Sequence, residues 1–318
     1  MPPTAVRSKQ AALRPGANGA AIAAERVRSA FLATLADRLS LLKPRILGLA
    51  TLVTAIAGCL AVRSEVDFLR LLITLAGTAT FASAGLVLNQ ILERDVDRKM
   101  VRTAQRPVAS GRVGVVEAYC WAGVLAVLGS VLFLSWGLYL AFTLCAVSIG
   151  LYTLVYTPLK RVTALNTVVG AVSGAMPPLI GWAGVRGELD AVAWVLFGIL
   201  FFWQFPHFFA IAWLWRDDYV RGGLRMLATE DESGGLVGRM AFLYALPLWP
   251  LSVCVVRFYE MSLAYLVAAS LANLAFLGCC VEFWTNPGDR TARQLLRASV
   301  MYVPALLGLI LLEFVARF

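Results

Sequence analysis

Runs of about twenty apolar residues recur along almost the whole chain, each long enough to cross the hydrocarbon core of a bilayer as a helix. They fall near 46–62, 68–90, 115–136, 138–157, 165–184, 191–214, 240–257, 262–283 and 295–315. The seventh run is short and holds Pro247 and Pro250, and the break at Trp136-Gly137 predicts a helical hairpin between the third and fourth. Lipid offers no hydrogen bonds to an open backbone, so spans of this length must be helices. The expected fold class is an all-α polytopic membrane protein with nine transmembrane helices.

Composition narrows the reading further. Of 318 residues, 60% are hydrophobic and 15% charged, with a mean hydropathy of +0.76, whereas soluble domains hold about 45–50% apolar and about 25% charged residues. These values exclude intrinsic disorder, a soluble enzyme with one core, and a single anchor on a soluble domain. The net charge of +9 points to basic cytoplasmic loops and not to nucleic acid. With the N-terminus inside, the inner segments carry 23 basic residues, and the outer segments with the C-terminus carry 5. That asymmetry predicts a cytoplasmic N-terminus and an outside C-terminus.

Residues 1–40 read as a flexible polar tail and 41–318 as a single transmembrane domain. The tail lacks the apolar stretch of a secretory signal. Its Arg7, Lys9, Arg14, Arg26 and Arg28 against Glu25 would also suit a mitochondrial transit peptide. The preferred reading is a cytoplasmic tail on a multi-pass protein of the bacterial inner membrane, the mitochondrial inner membrane being the alternative. All six cysteines lie in apolar runs and there is one histidine, so neither a zinc site nor a disulfide framework is expected.

Charge is scarce, so its placement carries information. Asn89, Glu93 and Asp97 follow the second run at i, i+4 and i+8, which puts three oxygen-bearing side chains on one helical face, with Asp95 pointing elsewhere. Carboxylates at membrane depth are costly and usually functional. Hard oxygen ligands without His or Cys suit Mg²⁺, which takes one or two carboxylates and bridges to phosphate oxygens. Arg102 and Arg106 follow as phosphate-binding candidates. A second acidic pair, Asp217-Asp218, ends the sixth run on the same expected side, followed by Arg221 and Arg225. Two facing acidic sets can hold metal ions around a diphosphate; the alternative is two solvated helix ends. Lys160 and Arg161 add two cations on that side.

The stretch from Asn89 through Glu93, Asp97, Arg102 and Arg106 to Pro107 resembles the first acidic motif, Asn-x₃-Asp-x₃-Asp, of the UbiA-type intramembrane prenyltransferases, with Glu93 in place of the middle Asp. Within that superfamily it most resembles the haem O synthase (protohaem IX farnesyltransferase) branch. Three further segments agree: Leu42-Lys43-Pro44-Arg45, the run from Tyr156 to Arg161 leading to Asn166 and Gly174–Trp182, and Trp203–Phe208 preceding Asp217-Asp218-Tyr219. They span about residues 42 to 240, and nine spans fit the superfamily. The second Asp-x₃-Asp of the quinone-type relatives is absent, since positions 221 and 222 are Arg and Gly.

The resemblance implies transfer of a farnesyl group from farnesyl diphosphate to a vinyl group of haem b, releasing diphosphate and giving haem O for terminal oxidases. It implies Mg²⁺ held by Asn89, Glu93 and Asp97, with Asp217 or Asp218 opposite, and diphosphate met by Arg102, Arg106, Lys160 and Arg161. Lys43 either reaches the same pocket or snorkels to headgroups. His207 either ligates the haem iron, moves a proton, or is a hydrogen-bonded residue in a helix kinked by Pro206. Implied partners are farnesyl diphosphate, haem b, the lipid bilayer, and haem A synthase or terminal oxidase assembly factors. The competing functions are a prenyltransferase acting on a quinone or chlorin precursor, a cation transporter, whose acids would sit nearer the midplane, and a non-catalytic assembly subunit.

Overall fold

The computed structural model describes residues 32–62 and 67–316, together with residues 25, 28 and 29. Ten principal helices run in chain order: α1 (Leu32–Leu41), α2 (Pro44–Leu60), α3 (Phe68–Leu92), α4 (Val115–Ser135), α5 (Tyr139–Leu159), α6 (Asn166–Arg186), α7 (Ala191–Leu214), α8 (Gly235–Arg257), α9 (Leu263–Thr285) and α10 (Asp289–Val315). Among the described residues there is no strand. Helices α3 to α10 are each long and apolar enough to span a bilayer, and α1 with α2 makes a ninth candidate through a 50° bend. Each of the nine expected runs therefore has its helix. The last begins at Asp289, upstream of the apolar run, because Thr291, Ala292 and Leu295 already pack inward and carry the helix on.

Most of the expected polar tail lies outside the described residues. Its final part, from Leu32, is helical. Arg38 pairs with Glu117 at 2.7 Å and Asp37 with Arg112 at 2.9 Å, which fixes α1 against the start of α4. The predicted hairpin between α4 and α5 turns at Gly137, whose φ of 66° is left-handed. The Leu138 amide donates to the Phe133 carbonyl at 2.9 Å and the Gly137 amide to Leu134 at 3.2 Å, satisfying carbonyls that the helix end would otherwise leave free.

Helices in lipid gain little from hydrophobic exclusion, so small residues and hydrogen bonds hold them together. A Cβ at Gly181 would stand 2.1 Å from the Thr54 carbonyl oxygen, so the close crossing of α2 and α6 requires glycine there. Gly129 does the same for α4 against the Phe81 backbone of α3. A buried polar chain joins α8, α9 and α10: the Tyr302 hydroxyl donates to Asn273 Oδ1 at 2.9 Å, and Asn273 Nδ2 donates to Ser252 Oγ at 2.9 Å. Of the eight long helices α6 is the most buried and α4 and α5 the least. The least buried helices therefore offer apolar flanks to lipid, while α6 and α7 form the interior.

The ends of α3, α5 and α7 meet on one face. The segments following α3 and α7 are hydrogen-bonded to each other through Asp218 and the backbone amides of Val101 and Arg102. The Arg225 amide donates to the Lys160 carbonyl at 2.7 Å, adding the end of α5. The scarce charges converge at this junction.

Candidate active site

Asn89 occupies the last turn of α3, and Glu93 caps that helix with φ −94° and ψ 3°, off helical geometry. The chain re-enters a helical turn at Arg94–Asp97, with the Asp97 amide donating to the Glu93 carbonyl at 2.7 Å. The cap thus interrupts the helix without rotating Asp97 off the face of Glu93. Asn89, Glu93 and Asp97 are 1%, 5% and 0% exposed. Asp95 points away and is exposed.

Three cations close on this face from three elements. Lys43, at the bend between α1 and α2, is the one non-glycine described residue with positive φ, at 46°. A left-handed lysine is strained. Its ammonium donates to Asn89 Oδ1 at 2.7 Å. Lys160 donates to Glu93 Oε1 at 2.7 Å and lies 4.2 Å over the Tyr156 ring. Arg106 Nη1 donates to Asp97 Oδ1 and Oδ2 at 2.9 and 2.8 Å and stands 3.7 Å from Glu93 Oε2. Two carboxylates thus meet three basic side chains.

Burial pushes the Glu93 carboxyl upward, but Lys160, then Lys43 and Arg106, outweigh it and hold the group below the usual carboxylate range. For Asp97 burial wins over the Arg106 contact, and its carboxyl sits above the ordinary value. Glu93 is therefore the firmly ionised member of the pair.

Thr157 completes the inner wall. Residues 151–156 of α5 form a π-helical segment, the wider winding often found at functional sites. The Thr157 hydroxyl donates to the Tyr152 carbonyl at 2.8 Å and accepts from Asn89 Nδ2 at 3.1 Å. Asn89 is thereby oriented with its carbonyl oxygen toward Lys43.

The second acidic pair divides. Asp218 is buried in the helix Arg216–Gly222 and accepts from the Val101 and Arg102 amides at 3.1 and 3.0 Å and from the Arg221 guanidinium. It clamps the crest of the 98–106 turn, whose return places Arg106 on Asp97. Asp217 is exposed. Arg102 lies 5.7 Å from each of the Trp215 and Tyr219 rings and donates to the Tyr219 hydroxyl at 3.3 Å. Arg161 is exposed and has no ion pair among the described residues.

The structure therefore joins Asn89, Glu93, Asp97, Lys43, Lys160 and Arg106 in one cluster. It sets Asp218 and Arg102 in the adjoining clamp, and leaves Asp217 and Arg161 at the surface. Among the described residues no three His, Cys, Asp or Glu form a ready metal cage. His207 lies within α7, its Nδ1 2.9 Å from Ser299 Oγ of α10. Tyr156, Thr157 and Asn166 stand in the sequence only as part of a resembling segment, with no role at the site assigned to them. Asn166 donates to the Thr163 and Arg225 carbonyls at 2.6 and 2.8 Å, bracing the loops that carry Lys160 and Arg225. All three fall in a segment whose cations alone stood out as charged.

The family model of the UbiA prenyltransferases matches residues 50–303. A protoheme IX farnesyltransferase of Solibacter usitatus is 40% identical over 291 residues, covering 87% of this chain and 98% of its own. A second, from Opitutus terrae, is 40% identical over 284 residues, with 88% and 95% covered. Among solved structures, a digeranylgeranylglyceryl phosphate synthase superposes with a TM-score of 0.74 at 17% identity, over 89% of this chain and 99% of that one. A UbiA homologue from Archaeoglobus fulgidus bound to GPP and Mg²⁺ gives 0.61 at 13%, over 86% and 99%.

Proposed function

This chain belongs to the UbiA prenyltransferase family, and from that premise we propose that it transfers the farnesyl group of farnesyl diphosphate to a vinyl group of haem b, giving haem O. The observation that carries the reading is the buried cluster of Asn89, Glu93, Asp97, Lys43, Lys160 and Arg106, in a chain 40% identical to protoheme IX farnesyltransferases over nearly their whole length.

The donor set fits Mg²⁺: two buried carboxylates and an amide oxygen, all hard ligands, with no thiol or imidazole among them. A structural neighbour binds GPP and Mg²⁺. Glu93, Asp97 and Asn89 would hold the ion, which would neutralise charge on the departing diphosphate. Lys43, Lys160 and Arg106 are already aimed at the same oxygens. They exchange carboxylate partners for phosphate as the substrate enters, so the charge developing in the transition state meets preorganised donors. Tyr156 holds the Lys160 ammonium in place through its ring face.

Breaking the C–O bond to diphosphate leaves an allylic cation. The vinyl π electrons attack its terminal carbon, and water captures the resulting cation next to the porphyrin and gives up a proton. The apolar interior between α6 and α7 keeps bulk water from the first cation. The enzyme works in the bacterial inner membrane, with the charged face toward the cytoplasm.

Incubating the purified protein with haem b, farnesyl diphosphate and Mg²⁺ and weighing the porphyrin tests this directly. The expected mass gain is one farnesyl group plus one hydroxyl group, because the capturing water gives up a proton. An unchanged porphyrin beside a prenylated quinone precursor would overturn it.

A further inference from the structure

His207 Nδ1 faces Ser299 Oγ, whose hydroxyl also reaches the Leu296 carbonyl, and this pairing assigns the tautomer of the ring. The Ser299 hydroxyl has one hydrogen, and it goes to the Leu296 carbonyl at 2.7 Å. With that hydrogen on the Leu296 carbonyl, Ser299 Oγ accepts at its 2.9 Å contact with His207 Nδ1, which assigns the ring proton to Nδ1. Nε2 is left with its lone pair and has no hydrogen-bond partner among the described residues. The Trp203 ring stacks on the imidazole at 5.1 Å and 22°, and its own Nε1 donates to the Ser299 carbonyl at 2.8 Å. The imidazole is thus fixed in tautomer and in plane by residues of both α7 and α10.

His207 is only partly buried and its Nε2 is not sealed off by protein, so the lone pair stays within reach of a ligand. A histidine whose second nitrogen donates to a neighbouring oxygen is the usual form of a metal-ligating imidazole. Position supports an iron porphyrin as the occupant. His207 lies seven residues before the end of α7 at Leu214, about 10 Å deeper in the membrane at a 1.5 Å rise per residue. The end of α7 lies on the same face as the Glu93 cluster, through the Asp218 contacts. The iron would therefore sit deeper than the diphosphate, with the vinyl groups on the porphyrin rim free to reach the allylic carbon.

We propose that His207 Nε2 is the axial ligand that docks the acceptor's iron, and that Ser299 is the positioning residue that keeps it unprotonated. This rests on haem b being the acceptor. The test is an optical titration of the full-length protein in nanodiscs with ferric haem b and no prenyl donor, beside metal-free protoporphyrin. Wild type should show a nitrogen-ligated Soret band. H207A should lose it and bind haem at least tenfold more weakly, with metal-free protoporphyrin unaffected and added imidazole restoring the band. S299A should weaken haem binding about tenfold, the lower range for loss of an outer-shell partner, and S299T should restore it. An unchanged band and affinity in H207A would overturn the proposal while leaving haem O formation standing. Failure of the wild type to bind haem at all would instead remove the acceptor assignment and the proposal with it.

Discussion

Removing one charge from the Glu93, Lys160, Asp97 and Arg106 quartet leaves its partner unpaired, and all but the quarter-exposed Arg106 are buried. Breaking a buried pair from one side costs about 3–5 kcal/mol, because the remaining ion keeps its desolvation penalty. For K160M we expect a fall in melting temperature as well as in turnover. E93Q strands Lys160 in the same way and leaves it only its contact with Tyr156, so the melting temperature should fall while haem O formation drops about 100-fold or more, the scale of losing one electrostatic contact in the transition state. E93D, which restores the residue seen in the family motif, should retain measurable activity. Chelation should abolish turnover in wild type and Mg²⁺ should restore it. Asp218 gives a separate pH prediction. Burial pushes its carboxyl up, but Arg221 and the two backbone amides outweigh that and hold it below the usual range. A depressed carboxyl contributes stability above its unfolded pKa and loses it as pH falls through the folded one. Hydrogen exchange at the Val101 and Arg102 amides, corrected for intrinsic rates, should therefore lose protection only below the ordinary carboxylate range. Protection lost near neutral pH would contradict the clamp.

The π-helical segment of α5 is what brings Thr157 under Asn89. In a regular α-helix the Thr157 hydroxyl would back-bond four residues up the chain. Here it reaches the Tyr152 carbonyl, five residues before. T157V keeps the shape and removes the acceptor for Asn89 Nδ2, freeing that amide to rotate. The Mg²⁺ concentration for half-maximal turnover should rise several-fold while the melting temperature barely moves, and T157S should reverse the effect. An unchanged Mg²⁺ requirement would detach Thr157 from the site. The same segment shows what the sequence could and could not disclose. Each apolar run announced a helix, because span length and hydrophobicity are properties of the run itself. The Asn89, Glu93 and Asp97 face was also legible, since one helical period relates them. The π turn, the left-handed Lys43 and the capture of Asp218 by backbone amides were not, because each depends on a partner remote in sequence. Asp217 and Asp218 look equivalent as neighbours, and only packing makes one a clamp and leaves the other exposed.

Across the whole molecule, charge is sorted by membrane side: the faces bearing Arg98, Lys99, Arg102, Arg106, Lys160, Arg216 and Arg221 meet at one end, while the turn between α6 and α7 lies at the other. Carrying the first face outward would set 23 basic residues against the membrane potential and leave 5 inside, the reverse of the distribution that orients helical membrane proteins. The active site should accordingly open to the cytoplasm, where a charged diphosphate substrate meets it without crossing lipid. Two exposed positions report on this, Lys99 after α3 and Glu188 between α6 and α7. In a background with the exposed Cys120 and Cys254 replaced, E188C should react with a membrane-impermeant maleimide in intact spheroplasts. K99C should react only after permeabilisation. The opposite pattern would invert the protein and place its diphosphate site on the wrong side of the membrane for a soluble donor, so the labelling decides orientation independently of any activity measurement.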